Sequence, residues 1–241
     1  MKVAILGGSG GIGAALVTAL EDSGEVSVIH ATYCHAPLDT LHSSKSEDIE
    51  LLWSRLDATN ERAVSEWVAS LGAVDWIINC IGFLHSSKHK PEKTIKQFDP
   101  ALFQQSMSVN CLPTLLLAKY AHRAFKKSEK TLFATVSARV GSIEDNQLGG
   151  WHSYRASKAA LNMALKCVAI EWRRTLPNAR VLAMHPGTTD TALSEPFQQN
   201  VVEGKLFQPA KTAGYLLKHM RHAHQYESGR FIAWDGSSIP W

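Results

Sequence analysis

The stretch "YRASK" sets Tyr154 and Lys158 four residues apart in a segment with helical periodicity. Residues at that spacing share one face of a helix. On an exposed face they are an ordinary surface pair. On a face turned inward, the ammonium favours phenolate and lowers the tyrosine pKa. A free tyrosine titrates at about 10, and acid–base groups act best when their pKa lies near the working pH. Tyr154 is therefore a candidate proton donor (and acceptor in reverse), with Lys158 as the cation that tunes it.

A second constellation sits near the N-terminus. "GGSGGIG" follows the apolar run "KVAIL" and opens into a segment of helical period, "IGAALVTALEDSG". Gly7, Ser9, Gly11, Ile12 and Gly13 would then form a tight turn between a strand and a helix N-terminus. Glycine lets a pyrophosphate approach the backbone, and the unpaired N–H groups of the first helical turn attract the anion. Placed between a first strand and a first helix, this loop is read as a nucleotide cradle.

Other candidates fall at the ends of later apolar runs. The second run ends in "ATYCHAP", with no carboxylate to hold a ribose 2′-hydroxyl; Asp22 and Glu25 precede it and Asp39 comes well after. The missing acid removes a repulsion against a 2′-phosphate, so NADP is expected, with NAD the alternative. No arginine stands in that stretch, which leaves His35 and nearby hydroxyls as the groups for the phosphate. Asp57 either accepts from an adenine amino group or caps the helix that starts at "NERAV". "NCIG" places Asn79 and Gly82 where the chain must fit closely against a ligand or a helix. Asn110 lies three residues before Pro113, which should kink its helix; there it either holds freed carbonyls or organises a water.

These segments need a frame that brings strand ends together. Short apolar runs alternate with amphipathic segments along the whole chain, and "AVDWIINCIG" is apolar on both faces, as a strand covered by helices on both sides must be. Strict β-α-β alternation means crossover helices and a parallel sheet. The expected fold is α/β: one doubly wound, Rossmann-type parallel sheet of about seven strands, helices on both faces, in a single domain over residues 1–241. Ligands then bind outside the carboxyl ends of the strands. Residues 188–208, which lack a long periodic pattern and follow Pro186-Gly187, are expected to form a flap on the substrate side.

Composition narrows the partners. A net charge of +3 without a basic block argues against nucleic acid. The apolar runs are too short for a signal-peptide core or a membrane span, so a cytoplasmic protein is expected. Four scattered cysteines without a CxxC pair read as reduced, buried hydrophobes. His219, His222 and His224 lie on a late helix without partner carboxylates, and a solvated face is expected rather than a metal site. His85 and His89 read as a polar loop, one that could border the substrate pocket. Trp151 and Trp172 fit packing or a subunit contact.

Gly7-Gly11-Gly13, "NCIG", Asn110, "YRASK" and "HPGTTDT" (185–191) together, in this order, resemble the short-chain dehydrogenase/reductase superfamily over essentially the whole chain. "SARVGSIEDNQLGGWHSYRASKAALNM" is more narrowly similar to sniffer-type carbonyl reductases and C-factor-like proteins. The resemblance implies a bound nicotinamide dinucleotide and hydride exchange with a small carbonyl or alcohol. It makes Tyr154 the general acid, has Lys158 hold the nicotinamide ribose, Asn110 support a relay water and Thr191 bond the carboxamide. It also implies a homodimer or homotetramer. One position departs from it. The usual substrate-binding serine, three residues before Gly141, is here Ala138. Either Ser137 bends inward, or Ser142 substitutes, or the hydrogen bond is absent. The rival reading is a dinucleotide-binding signalling or scaffold protein with weak turnover.

Overall fold

The computed structural model describes residues 1–35, 41, 43–44, 47–125 and 129–241. Asp39 lies outside them. Seven parallel strands form the main sheet: β1 (Lys2–Leu6), β2 (Val28–Tyr33), β3 (Glu50–Arg55), β4 (Trp76–Asn79), β5 (Thr131–Val136), β6 (Ala179–His185) and, last in the chain, β9 (Arg230–Ala233). Their order is β3-β2-β1-β4-β5-β6-β9. The chain therefore starts in the middle, winds to one edge, returns and winds to the other. The crevice where that direction reverses, between β1 and β4, is where ligands dock in such sheets.

Both faces of the sheet are covered. On one, alternate strand residues such as Leu6, Ile77, Phe133 and Val181 pack against α2 (Glu61–Ser70), α4 (Leu112–Ala121) and α5 (His152–Thr175). On the other, their neighbours Ile5, Ile78, Leu132 and Leu182 pack against α1 (Gly11–Glu21) and α6 (Pro209–Arg221). Period-two alternation thus feeds two separate apolar layers, which is why the strands read as continuously apolar.

Local chemistry sets the helix ends. Asn60 caps α2, its side chain accepting from Ala63 N–H at 3.1 Å. The long helix expected around Pro113 is two helices, α3 (Pro100–Asn110) and α4, divided at Cys111. The expectation of a kink understated the effect. Proline cannot donate to the preceding turn, so the chain restarts with Pro113 in the first turn of α4, where no donor is needed.

Residues 188–208 carry short regular elements of their own. β7 (Thr188–Thr189) pairs in parallel with β8 (Leu206–Phe207), apart from the main sheet, and a 3-10 turn spans Glu195–Asn200. Asp190 ties the segment together, accepting from Gln198 Nε2 at 2.9 Å and Gln208 Nε2 at 3.4 Å. No described helix is long and apolar enough to cross a membrane.

Candidate active site

The glycine-rich loop is a cradle with no room for side chains. Gly7 takes φ +79°, and Gly10 N–H bonds its carbonyl at 3.1 Å. A Cβ on Gly13 would lie 2.1 Å from that same oxygen. Gly10, at the start of α1, has no side-chain cap, so the first-turn N–H groups remain for an incoming anion. Thr191 lies over this loop: a Cβ on Gly11 would come within 2.5 Å of its methyl. Two segments 180 residues apart in sequence thus bracket one crevice.

The crevice is a cavity of about 440 Å³ running from Gly10, Gly11 and Ile12 past Gly82 to Tyr154 and Lys158, with Pro186, Gly187 and Thr191 on its wall. Gly7, Ser9, Gly13, Asn79, Asn110, His35 and Asp57 are not on that wall. Asn79 is a buried brace, donating to Thr114 Oγ1 at 2.8 Å and accepting from Ile81 N–H at 2.9 Å. Asn110 is also fully engaged. It clasps the Phe83 backbone through both ends of its amide, at 2.7 and 2.8 Å, and donates to Ser157 Oγ at 2.9 Å. The carbonyl it holds belongs to Phe83, not to the helical turn that Pro113 frees.

At the far edge, Asp57 accepts from Thr59 N–H and Oγ at 2.9 and 2.7 Å, and these bonds hold its carboxyl below the usual range. His35 lies close enough for its charge to be felt at Asp57. The sequence reading saw no arginine near this end. The structure corrects that: Arg55, at the end of β3, stands in register with Tyr33 at the end of β2. Its charge opposes the rise that burial imposes on the Cys34 thiol. Strand pairing between segments 22 residues apart creates this basic edge, and no local pattern could have announced it.

Tyr154 and Lys158 share the inward face of α5, 8% and 2% exposed, so the surface-pair reading fails. Lys158 Nζ lies 5.9 Å from the phenol ring centre and donates to the Val136 carbonyl at 3.2 Å. Gly141 permits this approach of α5, since a Cβ there would meet the Lys158 backbone at 2.7 Å. Burial pushes the phenol above its ordinary value and lowers the lysine to about 8. The expected lowering of the tyrosine by the lysine is therefore not met in the protein alone, because desolvation outweighs the cation at this separation.

The hydroxyls expected to replace the missing serine are both committed elsewhere. Ser137 donates to Asn162 Oδ1 at 2.6 Å, and Ser142 accepts from Asp145 N–H at 3.1 Å. The Ser137 proton is thus taken, and Ser142 is not on the cavity wall.

The start of α5 is held by a residue the sequence did not single out. Glu92 is buried, and its carboxylate accepts from Ser153 Oγ and, at 3.2 Å, from Ser153 N–H. A carboxylate on first-turn donors complements the helix dipole. Trp151, just before the helix, takes a left-handed conformation at φ 50° and packs edge-on against Phe197 and Tyr154. It is thus a pocket wall. Glu92→Ala leaves two buried donors unpaired and is expected to lower the unfolding free energy by about 2–3 kcal/mol. Urea denaturation checks this, and an unchanged midpoint would show that the carboxylate does not hold the helix.

Trp172 is core, edge-on to Phe125 and Phe133. His85 packs behind the pocket wall, with Nε2 at 3.2 Å from the carbonyls of Ala192 and Leu193 and its ring against Phe197; from its loop, Leu84 lines the cavity. His219 corrects the solvated-face reading: it is buried between the Tyr226 hydroxyl at 2.9 Å and the Trp234 carbonyl at 3.0 Å.

Known proteins are similar to this chain in sequence or in fold. L-fucose dehydrogenase from Mus musculus is 31% identical over 223 residues, 88% of this chain and 76% of its own length. The carbonyl reductase Sniffer of D. melanogaster superposes with a TM-score of 0.81 at 19% identity, covering 100% of this chain and 99% of its own. The NADPH-bound carbonyl reductase from chicken fatty liver does so with 0.79 at 21% identity, covering 100% and 94%. The family model for short chain dehydrogenases matches residues 1–201, and the chain belongs to that family of oxidoreductases.

Proposed function

We propose that this chain reduces a small, largely apolar carbonyl compound with NADPH, Tyr154 acting as proton donor, and oxidises the corresponding alcohol in reverse. The observation that carries the reading is one cavity joining the glycine cradle to the buried phenol. The cradle fits a dinucleotide because Gly10 and Gly11 present backbone without side chains to the cavity and the first-turn N–H groups of α1 carry no side-chain cap. Gly11 and Ile12 would hold the pyrophosphate, Lys158 the nicotinamide ribose and Thr191 the carboxamide. Bound there, the nicotinamide supplies or accepts the hydride. The chain's own part is to orient the carbonyl, exclude water and deliver a proton from Tyr154 Oη. Leu84, Val140, Trp151, Leu193 and Phe197 make the substrate side apolar. Residues 188–208, which carry two of these, are the flap over the substrate.

NADPH is preferred over NADH because no acid ends β2, while Arg55 supplies positive charge beside it and His35 an imidazole to hydrogen-bond a phosphate. Chicken carbonyl reductase, similar in fold, carries NADPH. Arg55→Ala is expected to weaken NADPH binding about tenfold, the loss of one hydrogen bond to a charged group, and leave NADH unchanged. Fluorescence titration with both dinucleotides tests this; equal losses for the two would refute a 2′-phosphate contact. Leu115, Met163 and Ile170 expose apolar side chains on α4 and α5, and support assembly of a homodimer or homotetramer through these helices.

Ala138 favours the second reading, a dinucleotide-binding protein without useful turnover. Purified protein mixed with NADPH and a panel of aldehydes, ketones and quinones separates the two. Binding without carbonyl consumption above that of a Tyr154→Phe control would leave only the second.

A further inference from the structure

We infer that His185 supplies the hydrogen bond to the substrate's carbonyl oxygen that Ala138 cannot give, through its Nε2–H. This role rests on the carbonyl-reducing reading above. Three observations carry it. First, the pairing of β5 with β6, extended by Ser137 N–H to Met184 O at 2.8 Å, sets Ser137 opposite His185, and the bond from Arg139 N–H to the ring at 3.3 Å brings the imidazole to the turn that Ala138 opens. Ala138 and His185 both line the cavity that holds Tyr154. The imidazole therefore stands next to the place where a serine hydroxyl is missing.

Second, the ring's tautomer is fixed. The backbone N–H of Arg139 points at His185 Nδ1, 3.3 Å away. A backbone amide can only donate, so Nδ1 must accept and the proton of the neutral ring sits on Nε2. Among the described residues no protein group takes that proton. Nor is Nε2 one of the sealed, partnerless atoms, which are Trp67 Nε1, Thr135 Oγ1, Asn162 Nδ2 and Arg180 Nε. Nε2 thus keeps accessible surface, on a ring that lines the cavity.

Third, the ring stays neutral. Burial, and then the nearby Arg139 guanidinium, lower its pKa to about 4 against the smaller opposite pull of Asp235 and Asp145. A neutral donor suits this place, since it stabilises developing negative charge on oxygen without competing with Tyr154 for the proton transfer. Three of the other hydroxyls around it are engaged: Ser137 with Asn162, Thr189 with Thr212 and Ser194 with the Thr189 carbonyl.

The test uses the full chain with NADPH and the best carbonyl from the panel. His185→Ala is expected to lower kcat/KM by about 100-fold, mainly in kcat, as for loss of one oxyanion donor. NADPH affinity, read by fluorescence, should not change. Adding Ala138→Ser to His185→Ala should restore at least about tenfold of that loss, because the hydroxyl returns to the neighbouring position. A His185→Ala enzyme within about threefold of wild type, or no recovery with Ala138→Ser, overturns the role of His185 while the oxidoreductase reading stands. A wild-type protein that binds NADPH yet consumes no carbonyl overturns that reading, and this role with it. Histidine ¹⁵N NMR of the wild-type chain gives a result independent of turnover and of variant folding. A neutral, Nε2-protonated ring at pH 6 is expected, and a charged ring or the opposite tautomer refutes the assignment.

Discussion

Tyr154→Phe is expected to reduce carbonyl turnover by about 10³-fold, within the 10²–10⁴ that a positioned acid contributes. It removes one oxygen and nothing else. The ring remains packed against Trp151, so the fold and the dinucleotide cradle keep their shape. The loss should fall in kcat, with NADPH affinity unchanged. The pH profile carries further information. Burial keeps the phenol protonated throughout the neutral range, so the group is poised as a donor, and reduction should be favoured over oxidation near pH 7. If Lys158 must carry its charge, kcat/KM for reduction should be flat up to about pH 8 and fall above it. A stopped assay across pH 6–10 reads both arms. Equal turnover by wild type and Tyr154→Phe would remove Tyr154 from the chemistry.

Lys158→Met is expected to abolish turnover and yet stabilise the protein alone. The ordinary lysine value is 10.5, and burial lowers it to about 8 in the folded chain. Between those values the unfolded chain binds more protons, so stability rises with pH across that window. Below about pH 8 the cost of the buried ammonium is fully present, on the order of 3 kcal/mol. The bond to the Val136 carbonyl, worth about 1 kcal/mol, is lost with the lysine. The net gain at pH 7 is therefore about 2 kcal/mol, or a rise in Tm of about 4–8 °C for a chain of this size. The gain should shrink as the pH approaches 10.5. Thermal unfolding of both proteins at pH 7 and 10 decides it. A difference that does not narrow with pH would mean that packing, rather than charge burial, is responsible. A stability cost at an active-site cation is what function requires here: the lysine is held where it can reach a ribose, at the expense of the unliganded fold.

The sequence carried the architecture because alternation and period are local properties. Apolar runs bounded by glycine, joined by amphipathic segments, specify strands and crossover helices whatever lies far along the chain. That was enough to place the glycine cradle between the first strand and the first helix, and Tyr154 and Lys158 on one helix face; Thr191 came from the family resemblance alone. The same local reasoning put His219 on a solvated face. It failed because α6 turns that histidine onto Tyr226 and Trp234, partners that come only from its packing.

Tertiary structure alone decided the rest. Arg55 meets the end of β2 through strand register, Glu92 reaches the start of α5 from 61 residues upstream, and Arg139 fixes the His185 tautomer from the next strand end. The fate of the Tyr154–Lys158 pair belongs here too. Spacing put both groups on one face, but their proton affinities follow from desolvation and separation, which depend on how deeply α5 is packed. Short-range pattern records which way a residue faces; only the folded chain determines what it faces.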